Sequence, residues 1–342
     1  MEIPTARGPV SAALIRALVQ PPATLPSDLR DTVAALPAGP AAAADAIDDD
    51  DLQVSLLLCY ELHYRGLAGV DDRWEWEPSL LDVRRQLERR LEDGLRALVP
   101  APDPVAPADL PRALAGVVEA DNAPSLASYL QRHATVEQFR EFVMHRSVYH
   151  LKEADPHTWA VPRLSGRTKA ALVEIQADEY GGGRPGRMHS ELFAATMRAV
   201  GLDDAYGAYV DAVPAATLAI TNAMSLFGLH RRWRGALLGH LAALEMTSSL
   251  PNRRYGNALR RLGYGRDATW FYDEHVEADA VHEQVAAHDM CGSFAAQHPA
   301  MTADVLFGAA CCLALDGRVA THLIAHWDRG ESSLRMTQRQ AA

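Results

Sequence analysis

The stretch Trp270-Phe-Tyr-Asp-Glu-His-Val-Glu-Ala-Asp-Ala-Val-His-Glu-Gln284 carries His275, Asp279 and His282 at i, i+4 and i+7. At 3.6 residues per turn the three side chains share one face of a helix. Two imidazoles and a carboxylate on one stripe, flanked by Phe271, Val276, Ala278 and Val285, form a 2-His-1-carboxylate set, the ligand type that suits Fe(II) oxygen chemistry. The same spacing also fits the solvated face of an acidic helix, because Glu274, Glu277 and Glu283 surround it.

Outward from this stretch the helical period continues. Apolar residues recur at helical spacing over residues 52–64, 80–98, 125–132, 136–152, 167–180, 189–200, 214–227, 231–248, 255–262, 269–290 and 301–327. The acidic run Asp48–Asp51 supplies a cap for the first strong helix. Alternation of β-branched and aromatic residues, the mark of strands, is nearly absent, so the expected class is all-α, a helical bundle. Residues 1–46 are rich in Ala and Pro, and residues 99–113 hold five prolines. The organisation read from this is an N-terminal helical extension with a Pro-rich linker over 1–113, followed by a catalytic bundle over 114–342.

Composition narrows the function classes. Lys and Arg total 33 against 44 Asp and Glu, a net charge of -11, and the positive residues are scattered. That argues against nucleic-acid and membrane partners. No stretch reads as the ~20 apolar residues of a membrane span or as a secretory leader. Four cysteines without paired spacing suit a reducing compartment, and the expected location is cytoplasmic.

One ligand helix needs partners, and helical bundles supply them from facing helices. Glu153 ends an amphipathic segment just before Pro156. Glu179 and His189 bracket Gly181-Gly-Gly-Arg-Pro-Gly186, which cannot continue a regular helix. Such a break could turn both side chains inward, or could be only a surface loop. Glu245 lies in a segment that could shape a pocket, and Arg253 or Arg254 beyond it could clamp a substrate carboxylate, although both also fit a surface or capping role. Tyr255 is a further candidate substrate contact whose aromatic ring equally suits the core. Two other pairs are set aside: Glu61 and His63 point to different helix faces, and His322 with His326 lacks a third ligand.

Taken together, Glu153, then Glu179 with His189, then His275, Asp279 and His282 resemble the haem-oxygenase-like diiron oxidases and oxygenases, described broadly as iron-containing redox enzymes. The resemblance covers roughly residues 125–330. It implies a haem-oxygenase-like bundle binding no haem, two Fe(II)/Fe(III) ions as cofactor and O2 as co-substrate. The implied reaction is N-oxygenation, desaturation or oxidative C–C cleavage of a small amine, amino acid or fatty-acid-like substrate, as in a biosynthetic pathway. An electron donor and a homodimer are compatible with it. Many members carry a carboxylate three residues before the histidine of the second segment, where this chain has Gly186. Glu179 matches the carboxylate used by some N-oxygenating members, with Glu174 as the alternative. The competing readings are a non-catalytic helical protein that binds a small molecule or metal, and a haem-degrading enzyme.

Overall fold

The structure, a computed structural model, describes residues 1–37 and 39–335, and for residues 277–281 the backbone only. Among the described residues every regular element is helical. The chain divides into two compact units, the first comprising Met1–Pro100 and Tyr206–Ser225 with Leu334 and Arg335, the second Ala101–Ala205 and Leu226–Ser333.

In the first unit lie α1 (Pro9–Leu18), α2 (Ser27–Ala34), α3 (Pro40–Asp45), α4 (Asp50–Glu61) and α5 (Pro78–Leu98). Every residue of α4 from Leu52 to Glu61 is buried, so this is the central helix of its unit. The acidic run divides its work. Asp49 caps α4, accepting from Leu52 N at 3.0 Å, while Asp51 accepts from Val10 N and Ser11 N, both 2.8 Å away, and so caps α1.

The second unit begins with α6 (Leu110–Glu119), α7 (Leu126–Arg132), α8 (Val136–His150), α9 (Asp155–Thr158), α10 (Gly166–Glu179) and α11 (His189–Ala199). Helix α12 (Ala215–Leu229) belongs to the first unit up to Ser225, and the second unit continues with α13 (Arg234–Thr247), α14 (Ser249–Arg261), α15 (Arg266–Gln284), α16 (Ser293–Gln297) and α17 (Thr302–Asp328). Between α15 and α16 the chain follows a π-helical course, Val285–Gly292. The structure adds a helix, α6, where the sequence reading had a linker, and lengthens α14 at its start, both for one reason. Pro111 and Pro251 fall in the first turns of α6 and α14, where the missing N–H costs nothing, so a proline read as a break instead opens each helix.

Helices α13 and α17 meet backbone to backbone. A Cβ placed on Gly239 would lie 1.8 Å from the Val305 carbonyl oxygen, and one on Gly308 1.9 Å from that of Ala236. Only glycine permits this approach. The segment Pro299–Asp328 is long and apolar enough to cross a membrane, contrary to the sequence expectation, with mean hydropathy 1.4 in its most apolar window. Half of that window is buried within the fold. A helix packed as the core of a bundle meets the same compositional test.

Candidate metal centre

Helix α10 ends on Glu179 and α11 begins on His189. Between them Gly181, Gly182, Gly183 and Gly186 all take positive φ, a region that costs other residues ~1–2 kcal/mol. At Gly181 the demand is also steric, since a Cβ would stand 2.5 Å from the Arg187 carbonyl carbon. This tight reversal brings Glu179 Oε2 to 3.1 Å from His189 Nδ1. Glu174, one and a half turns earlier, is exposed, so Glu179 is the inward carboxylate of that helix.

Opposite, the turn after α8 presents Glu153. Its Oε1 accepts from His150 Nδ1 at 2.7 Å, and its Oε2 lies 4.0 Å from His275 Nε2. His275 comes from α15 and directs Nδ1 to the Phe271 carbonyl at 2.8 Å. Donation there puts the proton on Nδ1 and leaves the Nε2 lone pair facing the carboxylates. The His275 and His189 rings are 4.3 Å apart between centroids. One donor atom each from Glu153, Glu179, His189 and His275 fall within 4.8 Å of one another, a spacing that admits a metal ion.

His282 stands beside this group rather than in it. Its Nε2 donates to Asp178 Oδ2 at 2.9 Å, and its Nδ1 is 3.4 Å from Glu245 Oε2. Glu245 is buried and lines the same cavity as Glu153, Glu179 and His275. Sequence reasoning gave it only a pocket-shaping role, because a lone glutamate on an apolar helix carries no ligand spacing. The side chain of Asp279 lies outside the described residues. Of the candidate substrate contacts, Tyr255 is buried on the cavity wall, whereas Arg253 is exposed and away from it. The set-aside residues are otherwise engaged: Glu61 accepts from the Tyr206 hydroxyl, and His322 Nε2 faces the Ser333 carbonyl.

The electrostatics express three carboxylates crowded out of water. Burial, and then the neighbouring Glu179, push Glu153 up to about 7. Burial would raise Glu179 as well, but His189, with His275 and His282, outweighs it and holds this carboxylate down at about 2. Burial raises Glu245. His275 is lowered by burial and by His189, while His282, despite burial, is raised to about 9 by Glu245 and Asp178. Glu153 Oε2, Glu179 Oε2 and His282 Nδ1 are buried without a hydrogen bond. Buried polar atoms left in that state cost roughly 1–3 kcal/mol each, and a cation bound within the cluster would remove the cost at both carboxylate oxygens. Carboxylate and imidazole donors of this kind suit divalent iron. The residues present therefore fit an iron site.

No curated protein matches the sequence. Residues 140–317, just over half of the chain, match the family described as iron-containing redox enzyme, and they span α8 to α17 with every residue of the buried cluster. The chain belongs to this iron-containing redox enzyme family and is an iron-dependent oxidoreductase with an all-α, haem-oxygenase-like fold.

Proposed function

We propose that the chain is a non-haem diiron enzyme that activates O2 to oxidise a small amine, amino acid or fatty-acid-like substrate in a biosynthetic pathway. The supporting observation is the pairing of two donor groups on one cavity. Glu153, Glu179, His189 and His275 form the first, while His282 and Glu245 stand next to it. Asp279, between His275 and His282 in sequence, completes the proposed set. Iron bound there would supply the electrons that reduce dioxygen.

The chain's own residues bind, orient and exclude. The Phe271 carbonyl fixes the His275 tautomer, and Asp178 orients His282. His150 Nδ1 holds Glu153 Oε1 at 2.7 Å and so orients that carboxylate. Leu241, Leu244 and Leu313 give the cavity an apolar lining. N-oxygenation and desaturation each draw two electrons from a donor outside the chain for every O2 consumed.

Anaerobic titration with Fe(II) tests the reading. About two irons per chain are expected, by analogy with two-metal sites, and oxygen uptake should follow on addition of a substrate. Unchanged iron content in His275→Ala would overturn the assignment. Iron uptake without oxygen consumption for any candidate amine or acid would instead favour a metal-binding protein without catalysis.

A further inference from the structure

The cavity that carries the iron ligands continues away from them to an ion pair that the metal centre does not use. Arg146 Nη1 donates to Asp316 Oδ1 at 2.6 Å. The two side chains differ in exposure: Arg146 is 12% exposed and forms part of the wall, whereas Asp316 is 44% exposed and stands at the rim. Arg146 precedes Glu153 by seven residues along α8 and its following turn, about 10 Å at helical rise. Tyr149, Tyr255 and Tyr272 line the interval. Burial would lower the Arg146 guanidinium, but the Asp316 carboxylate more than offsets it.

Besides the carboxylates, two hydrogen-bonding side-chain atoms on this cavity lack a partner. The Tyr272 hydroxyl and Gln176 Oε1 are buried without a partner, and both residues line the wall. A pocket that leaves a donor and an acceptor unmet is built to be completed by a polar guest.

Charge selects the guest. Glu153, Glu179 and Glu245 already place three acidic groups on the cavity, so a bare carboxylate adds a fourth. A bare ammonium at the rim would meet Asp316 but also the Arg146 charge beside it. A head group with both charges meets both residues: its carboxylate takes the free guanidinium N–H groups, and its ammonium takes the outer oxygen of Asp316. The volume sets the size. At about 130 Å³ the cavity approaches the ~150 Å³ that holds a benzene-sized molecule, which suits a short side chain better than a long acyl chain.

We propose that Arg146 and Asp316 are the specificity-determining pair for a small zwitterionic substrate, an α-amino acid held by its head group at the rim with its side chain directed toward the metal centre. This rests on the diiron reading for the reaction but not for the binding. The Tyr272 hydroxyl then bonds the bound amino acid from the wall.

The test measures binding rather than turnover. Thermal shift and calorimetry on the full chain, metal-free and anaerobically iron-loaded, would screen the twenty proteinogenic amino acids. Each is matched with its deaminated acid and its decarboxylated amine. At least one amino acid should stabilise the protein, with both matched analogues at least tenfold weaker. Arg146→Gln and Asp316→Asn should each weaken that amino acid at least tenfold, with iron content unchanged. Tyr272→Phe, which removes one oxygen and keeps the ring, should weaken it severalfold and guards against a fold defect in Arg146→Gln. The proposal is overturned if no amino acid binds, if either analogue binds as well as its parent, or if the rim variants bind like wild type. Head-group-dependent binding without oxygen uptake would keep this proposal and remove the diiron oxidase reading. Oxygen uptake driven by a substrate lacking either charge would do the reverse.

Discussion

Glu245 Oε2 lies 3.4 Å from His282 Nδ1, joining the last turn of α13 to the second histidine of the ligand stripe. The relationship predicts a metal-holding part for Glu245. Glu245→Ala should lower iron stoichiometry by about half and weaken what remains roughly 10–100-fold, the usual scale for lost ligand support. Iron analysis after gel filtration reads this directly, and full iron content in the variant would remove Glu245 from the centre.

The glycine loop offers a matched pair. Gly181 and Gly182 share a φ of 62°, but only Gly181 is also closed in by the Arg187 backbone. Alanine at 182 should cost ~1–2 kcal/mol from backbone strain alone. Alanine at 181 should cost more and pull Glu179 from His189, lowering iron affinity while α10 and α11 persist by circular dichroism. Equal effects of the two substitutions would mean that steric closure there does not set the ligand geometry.

Glu174→Ala and Glu179→Ala test which carboxylate serves the second ligand segment. The exposed Glu174 should be replaceable within ~0.5 kcal/mol and without iron loss. Loss of Glu179 should cost at least about tenfold in iron affinity. The reverse order would reassign the ligand.

Acid sensitivity should follow from His145. Burial, with His322 and Arg146 nearby, pushes this imidazole down to about 3 from an ordinary value of 6.5. The folded state thus resists a proton that the unfolded chain accepts. The stability is fully present above pH 6.5 and is lost as pH falls from 6.5 towards 3, by about 1.4 kcal/mol per unit. Urea midpoints between pH 7.5 and 4.5 should fall more steeply for wild type than for His145→Gln. Parallel slopes would refute the contribution.

The close seam between α13 and α17 gives the largest expected stability effect. Gly239→Ala or Gly308→Ala should destabilise by about 3 kcal/mol or more, since no rotamer change relieves a clash with backbone. Gly116→Ala, with open space around it in α6, should be neutral or stabilising by up to ~1 kcal/mol. Differential scanning calorimetry distinguishes the two classes.

How much of this could be read in the chain depends on the range of the interaction. His275 and its helix were legible because ligand spacing and helical period coincide within a few residues. The Glu179 to His189 reversal was half legible: glycines announced a break, but not that it would close inward. Glu245, Arg146 and Asp316 were not legible as site residues. Each sits alone on its helix, and only the packing of α8, α13 and α17 around one cavity gives them company. Helix α6 and the start of α14 were missed because a proline that opens a helix looks, in sequence, like one that ends it.

The seam has a further effect on recognition. Leu241 and Leu244 follow Gly239 on α13, and Leu313 and Asp316 follow Gly308 on α17, so the cavity wall is the continuation of two helices held at backbone contact. Such a wall does not have to be ordered when a ligand arrives. The entropy that a pliant pocket would surrender is lost during folding instead, and a small ligand, with few atoms to contribute, keeps more of its contact energy as affinity.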